Sequence, residues 1–480
     1  MYDTIVIGND FSSLVAAITS VLYGRKTVLV SNGDRSDIHL ESGYTFNVDP
    51  MPIAGFGSDQ TFPRFLAKHG ITLSNDKNIC LVNPALQIIL PDHRIDLHHD
   101  INEFVEDLKR EFSCEEMEDG GCYSTLLNMG HISDLWIKEK PDIAPKHRKR
   151  FITYMSNACE MLKESFRFSR RLRRVRKNPV FKMIVETELH LLSNLVTDSD
   201  TLFPPIFSSV LSLPHRGLYY YTGGKGLMME SFRKIFVDSG GEMIKSAHIA
   251  GIIPGNEIKV SFHEDELISE VRGKNLIMST NSDKLPLLLG QKKFRRLERH
   301  FKRIDMRYYP FTLYMGVLDK GIPEKMAPYV AVIPDKNKPL MDDNIVFLEI
   351  SAPNDTVRAP AKKRALSATL FLKESALLSS DHELEKKSKT IIEILETLLP
   401  FLQENLDYLN VEASIKLFRE YQETLNQKFR IRANPFIDAK ALSGRTPLKN
   451  VYLTGGTLMS GLGFEGEIIS GRNAALSTIR

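Results

Sequence analysis

The chain has 480 residues and little of what marks several protein classes. Its four cysteines, Cys80, Cys114, Cys122 and Cys159, form no Cys-x-x-Cys pair, so neither a zinc site nor a disulfide framework is indicated. Reduced thiols in a cytosolic compartment are the plain reading. No apolar run reaches the length of a membrane span. The start, Met-Tyr-Asp, lacks the basic region of a signal peptide, and Asn9 and Asp10 interrupt the apolar stretch around them. A net charge of +3 makes no global case for nucleic acid. His98 and His99 lack a third ligand at metal spacing, and no spacing assigns a Ser-His-Asp or Cys-His set. These absences leave a cytoplasmic protein, soluble or peripheral to a membrane, with no metal and no nucleic-acid partner.

What is present is ordinary for a globular chain: 42% hydrophobic and 26% charged residues, and length enough for two sizeable cores. Residues 2–7 form a short β-branched run suited to a buried parallel strand. Residues 12–23 carry a helical apolar period, and 26–31 return as a second buried strand. This β-α-β unit opens a doubly wound fold. Residues 78–98 alternate as hairpin-like strands, and 101–114 and 131–196 have helical patterns. A helix is predicted at 226–238, strands at 244–253, 257–262 and 273–279, a strand-rich stretch at 307–373, a long helix at 383–405 and a last strand at 450–455. The interleaving predicts an α/β fold: a Rossmann-like domain assembled from several chain segments, with a second, α+β domain inserted.

Several phrases in this order resemble one family. They include "SGYTFNVDP" at 42–50, "YYTGGKGLMMESFRKIFVDSGGEMIKSAHIAGI" at 220–252, "NDTVRAP" at 354–360 and "NVYLTGGTLMSGLGFEGEIISGRNAA" at 450–475. The likeness is to the phytoene desaturase and carotenoid isomerase branch of the FAD-dependent amine-oxidase-like superfamily. It implies an FAD-type domain from 1–115, 200–290 and 440–480, a substrate domain from 116–199 and 291–439, and an apolar tunnel between them. It also implies FAD as cofactor, with contacts from Gly8, Asp10, Phe11, Ser12, Ser13, Ser31, Asn32, Arg35, His39, Ile249, Gly455, Gly456, Gly463, Phe464 and Glu465.

The dinucleotide contacts depart from the pattern. A Gly-x-Gly-x-x-Gly turn lets backbone amides and a helix N-terminus approach a pyrophosphate. Here the turn is Gly8-Asn9-Asp10-Phe11-Ser12-Ser13, and only its first glycine survives. Two unit charges 4 Å apart repel by about 4 kcal/mol at an effective dielectric of 20, so Asp10 opposes a phosphate. Its carboxylate either caps the helix itself, worth roughly 1 kcal/mol, or turns to solvent beside a normally bound FAD. Ser31 and Asn32 stand where an acid should grip the ribose. The Arg35-Ser36-Asp37-Ile38-His39 loop has lost two glycines, leaving Arg35 and His39 as its cations. Gly455, Gly456 and Gly463 keep the turn beside the flavin ring. Glu465 and Glu467 suit dipole complementarity at a helix start, with a catalytic role as the alternative.

The strong charge run, "HRKRFITYMSNACEMLKESFRFSRRLRRVRKNP" at 147–179, is a solvated helix face or, through 147–177, a contact for an anionic membrane surface. The function expected is an FAD-dependent oxidoreductase of desaturase or dehydrogenase type on an apolar, isoprenoid or polyene, substrate. The alternative is a cofactor-poor homologue that binds a lipid or protein partner with the same fold. No catalytic side chain stands out.

Overall fold

The computed structural model describes residues 1–32, 36–58, 60–73, 76–112, 163, 178–196, 209–264, 267–279, 304–422, 424–431, 444–446 and 448–479. It opens with β1 (Tyr2–Ile7), α1 (Phe11–Leu22) and β2 (Thr27–Asn32). Strands β3 (Leu86–Ile89) and β4 (Arg94–Leu97) form a hairpin. Helices α2 (Pro179–Leu192) and α3 (Gly224–Asp238) precede β5 (Glu242–Ile253), β6 (Ile258–Glu264) and β7 (Leu267–Ser279). Next come β8 (Ile304–Leu318), β9 (Tyr329–Val332), β10 (Val346–Ile350), β11 (Lys363–Lys373) and α4 (Asp381–Leu398). The chain closes with β12 (Leu406–Leu409), β13 (Lys428–Ile431), β14 (Val451–Thr454) and α5 (Gly463–Ile479).

The first sheet runs β5-β2-β1-β7-β14, all parallel, with β6 antiparallel between the extended ends of β5 and β7. Its first strand lies at the centre and successive strands step outward to either side, the order of a dinucleotide fold. Ile5, Val6 and Ile7 of β1 are buried on both faces, as a central parallel strand requires. Helix α1 packs on this sheet and against α5.

The second sheet has eight strands, almost wholly antiparallel, in the order β12-β8-β11-β10-β9-β3-β4, with β13 beside β12 along β8. Helix α4 covers one face. Ser380 and Glu383 form a reciprocal cap at its start, and Leu384, Ile391, Ile394 and Leu395 are buried, each worth roughly 1.5–3 kcal/mol. The helix expected at 383–405 is broken, ending at Leu398 before a short turn at Leu402–Asn405. One boundary is corrected. The 86–97 hairpin, assigned to the first domain from sequence, joins the second sheet because β3 pairs in parallel with β9 (Val330 with Gln87).

Candidate active site

The end of β1 turns into α1 over Gly8, Asn9 and Asp10. Asp10 has the extended backbone of an N-cap (φ −84°, ψ 168°) and its side chain accepts from the backbone N–H of Ser13 at 2.8 Å. The same oxygen accepts from Ser12 Oγ and Ser13 Oγ, each at 2.7 Å. Its other oxygen accepts from Ser279 Oγ at the end of β7. A methyl group on Gly8 would lie 2.1 Å from Ser13 Oγ, so the serine fills the space that a third glycine would leave open. Ser31 Oγ donates to Asn9 Oδ1. Asn32 closes β2, in register with Ala247.

Asp10, Ser12, Ser13 and Ser279 form one polar cluster, with Asn9 and Ser31 paired beside it, and it does not fit a pyrophosphate on α1. The amide that would meet the phosphate already has a carboxylate, and a second anion beside Asp10 would meet like charge. The ring-proximal end is different. Gly455 ends β14 and donates its N–H to Ser470 Oγ (3.2 Å), and Gly463 opens α5. Phe464 stacks on Phe11 with ring centroids 4.9 Å apart, which ties the two helix starts together. Phe11 also meets Phe232 and Phe56, so its side chain is core. Glu465 is buried and takes both terminal nitrogens of Arg216 (2.8 and 3.4 Å), an ion pair added to the dipole role expected of it.

Other expected contacts lie elsewhere. Ile249 sits on β5 opposite Phe262. His39 packs beside Phe46 and Tyr314, and burial pushes its pKa down. The sequence offered it as one of the loop's cations, and in the structure it lies against aromatic rings. Asp37 pairs with Arg233 at 3.0 Å. Arg35 and, apart from Lys163, the basic run 147–177 lie outside the described residues. The strand at Leu218–Tyr221 packs as expected, with Tyr220 donating to Asp355 Oδ2 at 2.6 Å. Asp96, His98 and Asp107 come together, but Gln87 and Arg110 already satisfy their carboxylates (2.9 and 2.6 Å).

Sequence reasoning missed the most chemically loaded spot. Near Gly456, which approaches the lining residue Asn194, a small cavity lies between α2 and the second sheet. Its polar lining is Asp49, Asn194, Asn426 and Lys428, and its walls include Leu191, Pro310, Phe347 and Phe371. A methyl group on Gly456 would stand 2.7 Å from Asn194 Nδ2 and 3.2 Å from Glu467 Oε1, so only glycine allows this approach. Lys428 Nζ donates to the Ser193 carbonyl (2.9 Å) and lies 4.8 Å from the Phe371 ring centre. Burial pushes this amine down to about 7, with Asp49 opposing the fall. An amine so placed can hold or release a proton near neutrality.

With this geometry in hand, comparisons with known proteins can be set beside it. No protein-family model matches the chain. Solved structures align over nearly its whole length. An oxidoreductase from Methanosarcina mazei gives a TM-score of 0.62 at 13% identity, covering 98% of each chain. A cofactor-site variant of putrescine oxidase gives 0.60 at 12%, covering 100% of this chain and 98% of the other. Cyclohexylamine oxidase from Brevibacterium oxydans gives 0.57 at 12%, covering 99% and 98%. The fold is that of the FAD-binding oxidoreductases.

Sequence relatives narrow this. A chloroplastic prolycopene isomerase from Daucus carota is 24% identical over 432 residues, covering 84% of this chain and 68% of the relative. Prolycopene isomerase 2 from an Oncidium hybrid cultivar is 22% identical over 336 residues, and the chain spans 55% of that relative. In sequence the chain is thus similar to carotenoid isomerases, the branch of the FAD-dependent amine-oxidase-like superfamily that its motifs resemble. The binding-module alternative is not favoured by these relatives.

Proposed function

We propose that the protein is an FAD-type oxidoreductase of the desaturase or isomerase kind, acting on an apolar isoprenoid or polyene substrate. The observation that carries this reading is the small cavity whose lining joins Leu191, Pro310, Phe347 and Phe371 to Lys428 and Asn194. Leu191, Pro310, Phe347 and Phe371 give the cavity apolar walls that the end of an apolar ligand can contact. Lys428 supplies the titratable group, and Asp49 lies close enough to stabilise its protonated form. As the turn stands, Asp10 occupies the helix α1 end where the phosphates of FAD would lie.

An apolar substrate has to come from a membrane or a carrier. Among the described residues no helix is long and apolar enough to cross a membrane. The proposed contact is the basic run 147–177, each Lys or Arg adding roughly 1 kcal/mol at an anionic surface. Flotation with anionic liposomes checks it: replacing Arg170, Arg171, Arg173 and Arg174 by Gln should reduce binding, and added salt should weaken it. The catalytic reading is tested by supplying FAD and a micellar cis-polyene to the purified protein and resolving products by chromatography. Isomerised or desaturated product is expected. None, with FAD demonstrably bound, would refute the substrate class.

A further inference from the structure

Asn194 is 3% exposed. Its backbone carbonyl accepts from the Phe429 N–H at 2.7 Å, but its side-chain Nδ2 has no acceptor. Around it the other polar groups have partners. Asn426 spends its side-chain N–H on Met51 Sδ at 3.4 Å, and its backbone N–H goes to Asp49 Oδ2 at 2.9 Å. Lys225 Nζ stands 3.8 Å from that same Asp49 oxygen. The side chains of Asn194 and Lys428 line the same cavity. A buried donor left without an acceptor costs about 1–3 kcal/mol, so the arrangement is complete only when an oxygen enters.

The cavity itself holds about 20 Å³, room for one water-sized group. Only the head of a ligand fits there, and its body has to lie outside the cavity. We infer that Asn194 and Lys428 form a carbonyl niche, which binds the C=O oxygen of a ligand that is otherwise apolar. This inference rests on the proposed function and sharpens it. A hydrocarbon would leave Asn194 Nδ2 unmet, whereas a ketone at the end of an isoprenoid skeleton satisfies it, with Lys428 beside it already held by the Ser193 carbonyl. A ring carbonyl of a flavin offers the same chemistry, and binding measurements separate the two sources.

The probes are β-ionone, its hydrocarbon counterpart lacking the oxygen, and riboflavin, each titrated by calorimetry into the parent, N194L and K428M proteins. Riboflavin has no pyrophosphate and so avoids Asp10. The parent should prefer the ketone over the hydrocarbon by roughly tenfold to a hundredfold. Both variants should lose that preference. A loss confined to riboflavin also supports the niche and assigns the flavin as its source. If neither ketone preference nor riboflavin affinity responds to the substitutions, a water alone fills the cavity and the inference falls. Failure of both apolar probes overturns the substrate reading instead, and the riboflavin titration then decides the niche. N194S and K428Q repeat the measurement if the larger changes disturb folding, which circular dichroism reports.

Discussion

Ser279 and Asp10 are 269 positions apart in the chain, and the serine hydroxyl donates to the aspartate's Oδ2 across the mouth of the first sheet. With Ser12 and Ser13 on its other oxygen, the carboxylate sits where α1 would otherwise present a free N-terminus. The chain thus carries its own anion at the place where a dinucleotide's phosphates are expected.

The purified parent should therefore hold well under one equivalent of FAD, read from its visible absorption after gel filtration. Asp10→Gly with Ser13→Gly reopens the turn, and Ser31→Glu adds a ribose acceptor. That triple variant should lose about 1 kcal/mol of stability with the cap yet gain affinity for FAD and ADP. Tight binding by the parent, unimproved in the variant, would show that the phosphates are held by another geometry.

Lys428 predicts a pH signature. Unfolded, its amine titrates near 10.5; in the native protein it is pushed down to about 7. Below about 7 both states keep the proton and the burial penalty is complete. Between these values the unfolded state holds a proton that the native state has released, so stability rises with pH by up to about 1.4 kcal/mol per unit. K428M removes the slope. It should be the more stable protein at pH 6.5, with the advantage shrinking by pH 9.5 in urea titrations. A gap that stays constant would mean the amine is not buried as described.

Arg358 and Glu349 make a buried ion pair at 2.5 Å, with Asn47 Nδ2 donating to the same glutamate oxygen at 2.6 Å. Asn47 Oδ1 in turn accepts from Lys225 N–H (2.7 Å), which fixes the start of α3. Removing one charge strands the other, so R358L or E349L should each cost about 3–5 kcal/mol in chemical denaturation. The double variant should recover much of that loss, and an additive double loss would contradict this account.

The opening β-α-β unit was legible because buried parallel strands are written as continuous β-branched runs. Asp10 was legible too, since an acid before an apolar helix is a capping signal wherever it occurs. Ser279 could have been found as a hydroxyl at the carboxyl end of a parallel strand, where such folds place their ligands. Lys428 could not. Within "NQKFRI" it looks like a solvated residue, and its burial comes from β8 and Phe371, which are distant in sequence. His39 is a similar case, because local sequence shows a basic residue but not the aromatic rings packed around it. The 86–97 hairpin looked local, and its true neighbour lies some 240 residues further on.

The last prediction concerns Glu188 in α2, an acid with no accessible surface and no hydrogen-bond partner for either oxygen. Burial raises its pKa well above the usual carboxyl value. The native state therefore keeps a proton that the unfolded chain releases once pH passes about 4.5, the ordinary carboxyl value. Stability from this group is complete below that pH and is lost as pH rises toward the native pKa. E188Q should match the parent near pH 4 and exceed it increasingly at pH 6 and 7.5. E188M, which also removes the unpaired polar atoms, should be more stable at neutral pH by about 1–3 kcal/mol. Urea midpoints at the three pH values decide the matter. If parent and E188Q run parallel throughout, Glu188 is not protonated in the native state, and a charge in its surroundings must be holding it ionised.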